Sequence, residues 1–225
     1  MRKVMSHEGS GGKDRLSAKR FLIDDKDVDK ALSLPFLALG IMSLAQSLIV
    51  AQPLLKIQLL FSVPLNLLAA YSFWVRRPAL EPTDMSEVLV PTLTLLMPFL
   101  ILNQGLIFGS PYSLPALFPI TLFGLVWAFI SLFYLRRSFA VLPTVRGAVM
   151  NGPYRIVRHP LYLGETLYIF GAMMLGFSMH SLILFALTLL LMKFRIDMEE
   201  RKMMTQADYQ VYNLKVRYRL LPYIY

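Results

Sequence analysis

Long apolar runs dominate the chain, and along them polar residues do not recur with period two. Residues 57–75, 88–108 and 114–135 contain no charged side chain, and each run is long enough to cross about 30 Å of hydrocarbon as a helix. Residues 31–52 make a fourth such window. A bilayer offers no water to backbone N–H and C=O groups, so a spanning segment is a helix or a barrel strand, and continuous apolar runs exclude the barrel. From 161 to 195 the chain is again mainly apolar, about 35 residues in all and too long for one span. The stretch "GFSMHS" at 176–181 interrupts it. The pattern predicts two short helices joined by a tight turn, and an all-α integral membrane protein with about six transmembrane helices, the last two forming a hairpin.

The basic residues give this count an orientation, because Lys and Arg are retained on the cytoplasmic side. Eight lie in 1–30, two at Arg76 and Arg77, five between Arg136 and Arg158, and seven from Lys193 onward. With six spans and a cytoplasmic N-terminus, all of these fall on one face and only Lys56 lies opposite. Both termini are therefore expected in the cytoplasm, of a bacterial inner membrane or of the endoplasmic reticulum. The composition agrees, with 56% hydrophobic and 16% charged residues and a mean hydropathy of +0.54 over 225 residues. The net charge of +9 then reflects topology and attraction to anionic lipid headgroups, with no nucleic-acid partner expected. The absence of cysteine excludes disulfides, thiolate metal sites and cysteine catalysis. Three histidines spread along the chain, His7, His159 and His180, do not suggest a metal centre.

Three regions follow. Residues 1–30 are polar and mixed in charge, expected as a cytoplasmic tail ending in a surface helix, and lack the apolar stretch and cleavage site of a signal peptide. Residues 31–135 are expected as a four-span bundle. Its prolines suggest kinks re-satisfied by neighbouring helices, and Asn66, Asn103 and Gln104 are polar positions suited to a cavity or to interhelical hydrogen bonds. Residues 136–225 concentrate the chemistry.

If the last two spans form a hairpin, three cytoplasmic elements converge: "GPYRIVRHPLYLGE" at 152–165, "KFRIDMEERK" at 193–202 and "YQVYNLKVRYRLLPYIY" at 209–225. Arg195 and Glu199 are four apart and share a helix face, with Glu200 displaced by about 100°. Such a set suits an amphoteric ligand, the guanidinium meeting an anionic group and the carboxylates accepting from amine or hydroxyl donors. The plainer readings are a solvated helix face for the Arg/Glu run, interface anchors for Arg158, Tyr162 and Tyr168, and a satisfied polar residue for His159.

The first motif, followed beyond the hairpin by "EER" and then "Y..Y....R....P", resembles the isoprenylcysteine carboxyl methyltransferases and the related membrane phospholipid methyltransferases. "LRRSF" at 135–139 is similar to the family's approach to this motif. The resemblance covers residues 135–225 and implies S-adenosylmethionine as cofactor, wrapped by the hairpin and cytoplasmic tail, with a lipophilic or small methyl acceptor arriving from the bilayer. It implies that His159, Tyr162 and Gly164 form the cofactor wall, Pro160 sets the turn into the membrane helix, and Glu199 and Glu200 complete the cofactor site. Tyr154 and Arg158 of the same motif join that set, Tyr154 or Tyr162 suiting cation–π contact with a sulfonium. Arg195 matches an arginine beside the reacting carboxylate and is the candidate catalytic residue. Glu165 stands where many prenylcysteine enzymes have an aromatic residue. The ending "KVRYRLLPYIY" also resembles membrane sterol reductases, which use NADPH; those typically read GWWG before the core and N-Y-x-G-D after it, unlike the residues here. A non-catalytic lipid-binding descendant is the third reading.

Overall fold

The computed structural model of the chain describes residues 25–51, 53–75, 118–139, 148–175, 177–222 and 224, with single positions between 89 and 101. Among the described residues there is no strand. The named helices are α1 (Asp25–Ile49), α2 (Pro53–Val75), α3 (Phe118–Leu135), α4 (Pro160–Leu175), α5 (Met179–Met203) and α6 (Ala207–Lys215), with a 3-10 turn at Gly152–Arg155 before α4. Several positions between 89 and 101 are also helical.

Among the described residues, four segments are long and apolar enough to cross a membrane: Ala31–Ile49, Lys56–Val75, Phe118–Leu135 and Met179–Met203. Three of these fall in the windows expected from the sequence, and the fourth is the second arm of the expected hairpin. Its first arm, α4, has 16 residues and spans about 24 Å at 1.5 Å per residue. The window 88–108 lies mostly outside the described residues, as do residues 1–24. The charged run that closes the N-terminal region continues into α1, which starts at Asp25.

Helix α4 ends at Leu175 and α5 begins at Met179. Ser178 caps α5: its hydroxyl accepts from the Ser181 N–H at 3.1 Å, and the Ser178 N–H donates to the Ser181 hydroxyl at 2.8 Å. This reciprocal cap satisfies first-turn donors that an apolar environment would leave unpaired. Pro35 and Pro64 lie inside α1 and α2.

Helix α1 packs along α2, α3 packs along α4, and α2 joins the two pairs through α3. Phe36, Phe73 and Phe139 meet at this junction with ring centroids 5.3–6.4 Å apart, beside the buried Ala69, Ala128, Leu132 and Leu161. Large apolar side chains also face outward, among them Ile41, Leu48, Trp74, Phe123 and Ile183. Such a surface would be unfavourable in water but costs nothing against lipid tails. The architecture is that of an all-helical membrane protein.

Candidate functional site

The approach to α4 is shaped by a glycine that no other residue replaces easily. Gly152 has φ 61°, and a Cβ there would lie 2.6 Å from the Tyr134 ring. The 3-10 turn that follows is tied to the tail by the Tyr212 hydroxyl, which donates to the Tyr154 carbonyl at 2.6 Å. Two residues of the motif then pair with the returning tail: the Arg158 N–H donates to the Tyr218 carbonyl and the His159 N–H to the Arg219 carbonyl, both at 2.9 Å. Pro160 opens α4, where its missing N–H is one of the unpaired donors in any case.

The motif therefore reaches the exit of α5 with its side chains held on both sides. The Arg158 guanidinium grips Glu200, Nε to Oε1 at 2.7 Å and Nη2 to Oε2 at 3.4 Å, while Nη1 donates to the carbonyls of Val216 and Arg217 at 2.8 and 2.9 Å. His159 Nε2 lies 3.1 Å from Glu200 Oε1. From the tail, Arg219 donates to Glu200 Oε2 at 2.9 Å through Nε and to Asp197 Oδ1 at 2.8 Å through Nη1. Glu200 is thus a hub for three side chains from two segments, the motif and the tail.

Glu199 belongs to a second cluster. Its Oε1 accepts from the Tyr162 hydroxyl, and from Arg195 Nε at 3.3 Å. The Arg195 guanidinium lies 4.8 Å from the Tyr162 ring centroid, and the His159 imidazole stacks on the same tyrosine at 5.6 Å. The helical offset expected from the sequence is realised: Arg195 pairs with Glu199, and Glu200 turns to the other group. Tyr162 and His159 join the two clusters.

Arg195, only 3% exposed, also borders a cavity of about 220 Å³ between α1, α2, α3, α4 and α5. Most of its lining is apolar, including Phe36, Leu65, Leu132, Leu161 and Met192. Asn66, expected as a cavity position, lines it; Asn103 and Gln104 lie outside the described residues. A polar site at the helix ends and an apolar cavity between the helices thus meet at one arginine.

Two tyrosine hydroxyls near the polar site, those of Tyr154 and Tyr209, are buried with no hydrogen-bond partner among the described residues. Burial raises the pKa of Tyr154, Tyr209 and Tyr212 above the ordinary phenol value, so these hydroxyls remain donors at neutral pH. A buried unpaired hydroxyl is costly, and a polar cofactor within reach of either would relieve it. Both Glu199 bonds converge on Oε1, leaving Oε2 without one among the described residues. Together, open donors and an open carboxylate oxygen fit an amphoteric cofactor.

Of the residues singled out by sequence, Arg158, His159, Tyr162, Arg195, Glu199 and Glu200 come together. Tyr154 lies in the preceding turn, and Pro160 at the start of α4. Gly164 faces α3, where a Cβ would lie 2.6 Å from the Ala128 nitrogen. The sequence reading missed Arg219 and Asp197, and it quoted Tyr209 and Tyr212 in the tail pattern without assigning them to the site. The arginine in the tail pattern "Y..Y....R" is Arg217, whose backbone carbonyl serves Arg158, whereas the guanidinium on Glu200 comes from Arg219 two positions later.

The Tyr212 contact gives a direct stability test. Tyr212→Phe leaves the Tyr154 carbonyl without its buried donor and is expected to cost about 1–3 kcal/mol, read as a lowered unfolding midpoint in detergent. An unchanged midpoint would mean that the tail does not brace the turn.

The arrangement of the motif, the hairpin exit and the tail bears directly on the class of protein. Residues 116–210 match the phospholipid methyltransferase family model. No curated protein matches the chain. The match includes both clusters apart from the tail residues that close them, since Val216, Arg217 and Arg219 lie beyond it. The membrane phospholipid methyltransferase resemblance read from the motifs and the family match thus meet on the same two helices, α4 and α5.

Proposed function

We propose that the protein is an S-adenosylmethionine-dependent membrane methyltransferase acting on a lipophilic or small acceptor. One observation carries the reading: Arg195 borders the apolar cavity and simultaneously bonds Glu199, which bonds Tyr162 of the motif. A water-soluble cofactor and an apolar acceptor can then be held on either side of a single residue.

S-adenosylmethionine supplies an electrophilic methyl group when bound. Tyr154, Arg158, His159, Pro160, Tyr162, Gly164, Glu199 and Glu200 are the residues proposed to form its site. Glu200 spends its oxygens on Arg158, His159 and Arg219, so its part is to fix those side chains. Glu199 Oε2 and the Tyr154 and Tyr209 hydroxyls offer acceptor and donor positions. Tyr162 is already engaged by Arg195 and His159, which makes Tyr154 the better candidate for cation–π contact. Arg195 orients an anionic group of the acceptor or its immediate surroundings. Methyl transfer requires alignment more than acid catalysis, and held proximity alone can supply roughly 7–11 kcal/mol. The six-span topology with both termini cytoplasmic belongs to the same proposal, because it places every motif where a soluble cofactor arrives.

The test is calorimetric titration of the detergent-purified protein with S-adenosylhomocysteine and, in parallel, NADPH. Binding of the former alone supports the proposal; binding of NADPH alone would replace it with a sterol-reductase-like reading, and silence from both in folded protein with a lipid-binding one. Once an acceptor is in hand, Arg195→Ala is expected to lower turnover more than tenfold while changing S-adenosylhomocysteine affinity less than threefold. Equal losses would make Arg195 a structural or cofactor residue.

A further inference from the structure

Helix α6 is apolar on two faces, and the fold covers one of them. Tyr209, Tyr212 and Val216 are buried against Ala148, Met150 and Met203. Opposite them, at the i, i+4, i+7 spacing that keeps residues on one helix face, Ala207, Val211 and Leu214 are exposed, Leu214 to 85%. Exposed apolar residues continue past the helix in Leu221 and in Ile224, the latter 78% exposed, and Ile156 of the motif turn is exposed as well. Leu214 stands two positions before Val216, whose carbonyl Arg158 holds at 2.8 Å. Arg158 in turn grips Glu200 in the last turn of α5, a helix long and apolar enough to cross the membrane. The end of α6 is thereby held at the charged end of a membrane helix. Charge follows the same distribution. Arg219 is spent on Glu200 and Asp197, whereas Lys215 and Arg217 are exposed, as is Arg155, whose guanidinium donates to the Asn151 side chain at 3.3 Å. Asp208, the exposed acid of α6, lies about two turns from Lys215, at the other end of the helix.

We propose that the end of α6 and the residues after it form an interfacial anchor seated on an anionic phospholipid leaflet, with Leu214, Leu221 and Ile224 at the acyl boundary and Lys215, Arg217 and Arg155 on lipid phosphates. The inference goes beyond the methyl-transfer reading and needs only that the long apolar helices lie in a bilayer. An apolar stripe flanked by Lys and Arg is the pattern of a segment that lies in the interface plane, and basic residues close to an anionic surface are drawn to it. The helix macrodipole accounts for Asp208 at the start of α6 and Lys215 at its end. It does not account for Arg217 or for the three exposed apolar side chains beside these charges. A second copy of the chain, docked symmetrically, would cover the apolar residues but set Lys215 and Arg217 against the same positive collar on its partner. A lipid surface satisfies both kinds of residue. The anchor also bears on the site, because the covered face of α6 carries Tyr212, whose hydroxyl braces the motif turn through the Tyr154 carbonyl. Lipid holding the outer face would steady the closed tail.

The chain contains no cysteine, so Leu214→Cys in the full chain places a single nitroxide spin label at the proposed surface, with Asp208→Cys at the far end of α6 as the control facing water. In nanodiscs of phosphatidylcholine with about 30% phosphatidylglycerol, collision with oxygen at position 214 is expected to exceed collision with a soluble nickel chelate about threefold, the reverse of position 208. That preference is expected to shrink about twofold in phosphatidylcholine alone, and equally when Lys215→Gln and Arg217→Gln are added. Nickel access at 214 as high as at 208 would overturn the anchor. Low collision with both reagents would mark a protein contact and replace the leaflet with a second copy, and an oxygen preference equal in the two lipids would overturn the anionic assignment. Wild-type protein supplies a measurement free of any substitution: amide exchange across residues 213–222 is expected to be about fivefold slower in the anionic nanodiscs than in the neutral ones. Equal exchange in both would sink the proposal. None of these readouts depends on S-adenosylhomocysteine, so failure of the methyl-transfer reading is seen separately, in the titration.

Discussion

Glu200→Gln is expected to cost about 3–5 kcal/mol of folding stability, the range for breaking a buried charge pair by removing one partner. The substitution keeps the shape of the side chain but removes the charge that Arg158, His159 and Arg219 share. Arg158 and Glu200 side chains are 8% and 9% exposed, so water cannot replace the lost carboxylate at Arg158. The loss propagates because Arg158 also holds the Val216 and Arg217 carbonyls. With Arg158 unanchored, the tail has fewer reasons to return to the motif. Arg219→Gln provides the internal comparison. Its side chain is 28% exposed, and an ion pair open to solvent is worth only about 0–1 kcal/mol. Unfolding titrations in mixed micelles, followed by helical circular dichroism, should separate the two variants by at least 2 kcal/mol. Similar small losses in both would show that the cluster does not anchor the tail. Binding of S-adenosylhomocysteine, measured where Glu200→Gln remains folded, should weaken as well, since the variant releases both Arg158 and His159.

The division of the two adjacent glutamates was legible in the sequence, because helix geometry sets Arg195 and Glu199 on one face and turns Glu200 away. The apolar windows at 31–52, 57–75 and 114–135 were legible for a similar reason: length and lack of charge are what a bilayer demands. The start of α5 was marked by a short polar interruption, and Ser178 and Ser181 cap it with their own side chains. What could not be read was the way the tail closes the site. Arg158 and His159 bond backbone atoms of residues 216–219, and every residue carries a carbonyl, so no residue type announces an acceptor. Arg219 was passed over for Arg217 because spacing in a segment without regular structure does not reveal which side chain turns inward. The cavity was equally hidden. It depends on how α1, α2, α3 and α4 cross, whereas in the sequence Phe36, Leu65, Leu132 and Leu161 look like any other apolar residues of a span.

Gly164, proposed as part of the cofactor wall, also packs closely against another helix, and a bulky substitution there should approach the cost of losing Glu200. A Cβ on Gly164 would lie 2.6 Å from the Ala128 nitrogen and 2.8 Å from its Cα; one on Gly124 would lie 2.6 Å from the Tyr168 nitrogen and 2.8 Å from the Gly164 carbonyl oxygen. These are backbone atoms, which cannot swing aside as a side chain can, so α3 and α4 must move apart. Close approach through small residues is a main source of helix association in lipid, where apolar surface gives no driving force of its own. Gly164→Ala is therefore expected to lose about 2–3 kcal/mol and Gly164→Leu more, at or above the usual cost of overpacking. Gly40→Ala is the control: its Cβ would meet the flexible Leu67 side chain no closer than 3.5 Å, and alanine is the better helix former by about 1 kcal/mol. Separation of α3 from α4 would also displace Tyr162 and Glu165 relative to the cavity wall at Leu125 and Leu132. The same variant decides between the two roles of Gly164. Loss of stability with S-adenosylhomocysteine affinity reduced only in proportion would make it a packing residue, whereas full stability with abolished binding would support its place in the cofactor wall.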